Sequence, residues 1–200
     1  MSPYMRVASA RLDGPRAPAP HALRRRHGRP ADEAGRVVRL REAHTPRCIP
    51  PTALELIGQG VSVAVATRDA AMRPHIARAW GPEVLDPPRG PLRLCVDAPE
   101  GSAPAVNLTE RPEIAVIFAR PSTYQSVQLK GLTLEVRTPT ERELEVVDQH
   151  QLAFSADVQK VGLQLRLVRR LVNHSSLVSV VCTVDELYDQ TPGAAAGAPL

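Results

Sequence analysis

From residue 61 to residue 136 the apolar positions alternate in short runs. In VSVAVAT, Val61, Val63 and Val65 share one face, the period-two pattern of a half-buried strand. RPHIARAWG follows a tight turn and sets Ile76, Arg78 and Trp80 on one side. Beyond the proline- and glycine-rich loop GPEVLDPPRGP, LRLCVD aligns Leu92, Leu94 and Val96. EIAVIFAR and TYQSVQLKGLTLEVR give a fourth and a fifth strand. SLVSVVCTV is apolar on both faces and reads as a sixth, central and buried.

The fifth strand changes parity. Val127 and Leu129 are apolar at odd positions, then Leu132, Leu134 and Val136 at even ones, with Gly131 between. A bulge at Lys130-Gly131 turns such a strand through a corner and keeps apolar side chains inward on both sides. Ser126, Gln128 and Lys130 then face outward. That row fits a solvated edge, the wall of a ligand groove or a subunit interface equally well.

Helical signals sit elsewhere. Pro50-Pro51 lead into a short amphipathic turn with Leu54 and Ile57, stopped by Gly58 or Gly60. SAPAVNLTER reads as a short helix. Thr138-Pro139-Thr140-Glu141 carries a capping-box signature, with Thr138 as N-cap, ahead of a helix through LEVVDQHQLAF. A second helical stretch follows near DVQKVGLQLRLVRRLV, and the chain closes on DELYDQ and an irregular tail. Six strands, mostly consecutive and antiparallel, with two helices late in the chain, predict a mainly β (α+β) fold. This is a six-stranded antiparallel split β-barrel with peripheral helices rather than a βαβ sheet.

Composition divides the 200 residues. Residues 1–50 hold eleven arginines against four acids, whereas residues 51–200 are mildly acidic, at a net −3. Residues 1–47 read as a disordered Arg/Pro-rich extension with a short helix over residues 33–42, and residues 48–200 as the folded domain. Arg24-Arg25-Arg26 forms a lone basic cluster, more consistent with a solvated tail than with a nucleic-acid contact. No apolar run reaches membrane-spanning length and none follows the N-terminal arginines, which argues against a spanning helix or a secretory signal. Cys48, Cys95 and Cys182 are scattered, and the six histidines show no metal-ligand spacing. These features predict no metal and a reducing, cytoplasmic setting.

Four stretches resemble a known family: VSVAVATRDAAMRPHIARAWG, NLTERPEIAVIFARPSTYQSVQLKG, the late helix, and VDELYDQTPG. Their order, over residues 50–195, is similar to that in the FMN-binding split-barrel proteins related to pyridoxamine 5′-phosphate oxidase. The resemblance implies a homodimer with FMN in a groove between subunits and a small-molecule substrate. It implies cofactor contacts at Arg78 (phosphate), Ser126, Gln128 and Lys130, with Trp80 stacking on the ring or, the favoured alternative, plugging the barrel end. Ser102 is the candidate where the oxidases carry a Ser-Arg-Lys phosphate clamp, because Gly101-Ser102-Ala103-Pro104 has no cation. Gln125 stands where relatives often have arginine, and DQTPGAAAGAPL lacks the oxidases' substrate residues. The expected function is an FMN-dependent oxidoreductase whose substrate is not pyridoxamine phosphate. The alternative is a split-barrel dimer that has lost FMN and binds haem or a deazaflavin, or is non-catalytic.

Overall fold

The computed structural model describes residues 47–164 and 174–200, together with the backbone of the strand Val38–Arg39. The basic cluster at Arg24-Arg25-Arg26 and the second half of the later helical stretch, residues 165–172, lie outside the described residues. Within the segment expected to hold a short helix (33–42), Val38–Arg39 is instead a two-residue strand, β1.

All six expected strands form: β2 (Ser62–Arg68), β3 (Pro74–Val84), β4 (Leu92–Asp97), β5 (Glu113–Ala119), β6 (Ser126–Arg137) and β7 (Leu177–Cys182). They pair antiparallel in the order β6-β5-β2-β3-β4-β7, and β7 pairs back onto β6. The sheet is thus a closed six-stranded barrel. Its interior holds Val63 and Val65 from β2, Leu92, Leu94 and Val96 from β4, and Val116 and Phe118 from β5, all almost fully buried. Helix α1 (Pro51–Ile57) adds Ala53, Leu56 and Ile57 to that core.

Strand β6 carries the closure. Its first half, Ser126 to Leu132, pairs with β5 on one side and with β8 (Glu186–Asp189) on the other. Its second half pairs with β7 and with β1. The corner lies later than the sequence suggests. Register with β5 is unbroken through Gly131, and the shift occurs between Thr133 and Glu135. Odd positions therefore stay buried through Thr133, while Leu132 and Leu134 are half-buried. Gly131 has a different role. A Cβ there would lie 2.0 Å from the Thr183 carbonyl oxygen, so only glycine lets the β7–β8 connection cross β6. That crossing is fastened by Thr183 N–H donating to Leu132 O (2.9 Å), Asp185 N–H to Lys130 O (3.0 Å) and Leu132 N–H to Thr183 Oγ1 (2.8 Å). The end of the chain, expected to be irregular, folds back beside β8. Leu200 N–H donates to Leu187 O at 3.0 Å, and Tyr188 bridges to Pro199.

Helix α3 (Glu141–Gln159) packs on the barrel's outer surface. Its N-cap is Thr140 rather than Thr138, with Glu143 completing the box two residues later than expected. The shift has a cause in the barrel. Glu143 is buried and accepts from both terminal nitrogens of Arg137 on β6 (2.7 Å each) and from Ser179 on β7 (3.3 Å), with Arg93 on β4 3.2 Å away. Starting the helix at Glu141 puts that carboxylate between the two arginines. Burial would raise its pKa, but the Arg137 hydrogen bonds and the two guanidinium charges hold it at about 2. Farther along α3, His150 and Phe154 meet Trp80 edge-on, at ring centroid distances of 5.9 and 5.8 Å. Burial pushes His150 down to about 4, against a weaker opposing contribution from the Val61 backbone.

Two predictions follow from these contacts. Gly131→Ala should destabilise the protein by about 1–3 kcal/mol in urea unfolding, as an overpacked site does, whereas a cost within error would refute the close crossing. His150 gains its proton more readily in the unfolded chain, so its contribution is intact above the ordinary histidine pKa and fades as pH falls toward 4. Stability should drop by about 3 kcal/mol across that window, and His150→Leu should flatten the drop. Glu143 titrates below its ordinary value of 4.5 and so acts in a lower window.

Candidate functional site

The outward-facing positions of β2, β3, β5 and β6 share one side of the sheet, and the register shows which are neighbours. Arg78 pairs with Ala64, Ala64 with Ile117, and Ile117 with Gln128. One row along, Ile76 pairs with Ala66, Ala66 with Ala115, and Ala115 with Lys130. The two central strands thus present Ser62, Ala64, Ala66, Ala115 and Ala119, small side chains that leave a trough between taller walls. Arg78 and Ile76 form one wall, Gln128 and Lys130 the other. Ile76 is 74% exposed and Ile117 on the floor 37%.

Two hollows occupy this face. The smaller, about 270 Å³, is lined by Ser62, Ala64, Ile76 and Arg78. The larger, about 390 Å³, lies over Ala66, Ala115 and Leu132, with Arg68, Lys130 and Glu186 at its rim. The charges at the two ends are handled differently. Among the described residues Arg78 has no carboxylate within salt-bridge distance; its guanidinium carbon sits 5.8 Å from the Trp80 ring centroid. Lys130 is engaged, with Nζ 3.3 Å from Glu186 Oε2 and 4.7 Å from the Tyr188 ring centroid. Tyr188 donates its hydroxyl to the same Glu186 oxygen, and that bond, followed by Lys130, holds Glu186 below the usual carboxylate range.

The structure brings Arg78, Gln128 and Lys130 to this trough, sets Ser126 on the same face but covered, and puts Trp80 and Ser102 elsewhere. Trp80 shares the outward parity of Arg78 but is 1% exposed beneath α3, where it packs with Cys95, Val147 and Phe154. It lies outside the barrel, so it neither plugs an end nor reaches either hollow. Ser102 caps α2 (Ala103–Glu110), accepting from Ala105 N–H at 3.4 Å. Ser126 has the expected outward parity, opposite Ala119, but is buried on that face; its hydroxyl donates to Tyr124 O and its N–H to Thr191 Oγ1. Gln128 Oε1 accepts from Gln190 Nε2 at 3.3 Å. His75 points away from Arg78, as expected, and its Nδ1 lies 3.2 Å from Asn107 Nδ2. Sequence reasoning missed Glu186 and Tyr188. Their signal was faint, a single apolar residue, Leu187, between two polar ones.

No protein-family profile and no curated protein matches the chain. Solved structures do. An F420 reductase has a TM-score of 0.48 at 15% identity, covering 70% of this chain and 98% of its own. HupZ of Group A Streptococcus gives 0.45 at 16%, covering 74% and 99%. A pyridoxamine 5′-phosphate oxidase-related, FMN binding protein from Nostoc punctiforme gives 0.38 at 12%, covering 68% and 78%. At these scores the likenesses carry no argument of their own, and the fold rests on the strand order. The closed six-stranded antiparallel barrel is the fold that the sequence resemblance implied. What distinguishes the outer face is the trough: mostly small side chains between Arg78, which has no carboxylate within salt-bridge distance among the described residues, and the ion-paired Lys130.

Proposed function

We propose that this protein is an FMN-binding flavoprotein oxidoreductase that works in the cytoplasm as a homodimer, on a small molecule other than pyridoxamine phosphate. The observation that carries the reading is the position of Arg78, without a carboxylate partner among the described residues, beside a hollow opening onto a floor of alanines. A guanidinium so placed suits a phosphate, which it holds through paired charge-assisted hydrogen bonds. The alanines of the floor leave room for a planar ring packed against Ile117, and the Gln128 amide at the far wall offers hydrogen bonds to a ring edge. FMN, once bound, would accept and return the reducing equivalents. The chain's own residues orient it and exclude water. A second copy over the trough would bury Ile76 and Ile117 and complete the exclusion. In this reading Trp80 acts through the cation–π contact that steadies Arg78.

One observation favours the alternative, a split-barrel dimer that has lost FMN and takes haem or a deazaflavin, or is non-catalytic. The start of α2 offers no cation, and the Ser102 hydroxyl is already used as its cap. Titration of the purified protein with FMN separates the two readings. Saturable quenching of flavin fluorescence is expected, with Arg78→Ala weakening affinity by about tenfold or more, the worth of a hydrogen bond to a charged group. A colourless preparation that leaves flavin fluorescence unchanged would overturn the FMN reading.

A further inference from the structure

Strand β8 widens the far wall of the trough by one strand. Its pairing sets Glu186 opposite Lys130 and Tyr188 opposite Gln128, and one step farther on Gln190 N–H donates to Ser126 O at 2.8 Å. Leu187 is buried in the core, so the even positions that flank it, and Gln190 after them, share the outward face of Gln128. The backbone around Gln190 is held on both sides. Ser126 N–H donates to Thr191 Oγ1 at 3.0 Å, Thr191 N–H to Asp189 Oδ1 at 2.8 Å, and Asp189 N–H to Ala198 O at 2.9 Å. Ser126, which the sequence offers as a cofactor contact, is thus the anchor that brings Gln190 beside Gln128.

Gln190 Nε2 donates to Gln128 Oε1 at 3.3 Å. A primary amide carries an acceptor oxygen and a nitrogen with two N–H donors. The shared bond therefore leaves the Gln128 NH2 group and the Gln190 carbonyl next to each other, with no other side-chain partner among the described residues. With both amides turned over, the pair still sets a donor beside an acceptor. The matching ligand edge carries a C=O next to an N–H. The pyrimidinedione ring of a flavin or a deazaflavin has that edge, whereas haem, edged by methyl, vinyl and propionate groups, does not. Arg78 lies three strand spacings from Gln128 along the same row, about 14 Å, so a phosphate tail and such a ring edge can be held at opposite walls.

We propose that Gln190 is a specificity-determining residue of the trough, which together with Gln128 reads the adjacent C=O and N–H of a flavin-type ring edge. The inference rests on the trough being the cofactor groove, and it adds a requirement that Arg78 does not impose. Arg78 selects a phosphate; the amide pair selects the ring attached to it.

The test titrates the full-length protein with two probes, FMN and FMN methylated at ring nitrogen N3, and follows the quenching of flavin fluorescence. Methylation removes the N–H of that edge and leaves the phosphate unchanged. FMN should bind about fivefold tighter than its methylated form, the scale of one net hydrogen bond. Gln190→Leu should weaken FMN binding by a similar factor and abolish the preference. Gln128→Leu should do the same, because the two amides act as a unit. A general loss of structure would weaken both probes alike and leave their ratio unchanged. Equal affinities in the unmodified protein would overturn the proposal, and so would a preference that survives both substitutions. In either case FMN is still bound and the cofactor reading stands. Absence of quenching by both probes would overturn the cofactor reading, and this inference with it.

Discussion

The crossing of Gly131 by the Thr183 backbone governs this structure. This barrel closes when β7 pairs with β6, a strand that already has two neighbours, β5 and β8, along its first half. β6 makes room by changing partners, from β5 and β8 in its first half to β7 and β1 in its second. The chain must then pass from β7 to β8 directly over β6, and at that point there is no room for a side chain. Three hydrogen bonds from residues 183–185 and Leu132 replace the ladder that the change of partners interrupts. Buried backbone groups demand such replacement.

Closure fixes which side of each strand faces solvent, and this creates the trough. With Val63, Val65, Val116 and Phe118 committed to the interior, the alternate positions of β2 and β5 fall outside, and five of the eight are alanine or serine. Farther along β3 the same outer face is covered by α3, so Arg78 stays half-exposed while Trp80, two residues on, is buried. The helix is anchored at its start by the Glu143 carboxylate between Arg137 and Arg93. Removal of one partner of a buried pair costs far more than an exposed ion pair contributes. The rigid, ion-anchored side of the barrel and the open, alanine-lined side are thus two consequences of one alternation.

Much of this was legible in the sequence, and the parts that were not have physical reasons. Alternation located five of the six barrel strands, and the sixth, β7, was legible as a short run apolar on both faces. The corner in β6 was misplaced because Thr133 points inward although polar, while Leu132 and Leu134 stay half-exposed although apolar. A rule that sends leucine inward and threonine outward shifts the change of face upstream. The cap of α3 was misread by two residues because Thr138 and Thr140 both satisfy the local pattern, and only the distant Arg137 and Arg93 choose between them. Strand β8 escaped notice because it is short and edge-like, recognisable only by its pairing with β6. Arg78, Gln128 and Lys130 were foreseen on one surface. Ser102, Ser126 and Trp80 were not separable from them without knowing what covers each.

Amide hydrogen exchange tests the closure most directly. The Leu132, Thr183 and Asp185 N–H groups should exchange only through whole-molecule opening, with protection free energies equal to the unfolding free energy measured by denaturant. Rapid exchange of these three amides, in a protein whose β2 and β5 amides remain protected, would show that the barrel is not fastened at Gly131 and would contradict the account.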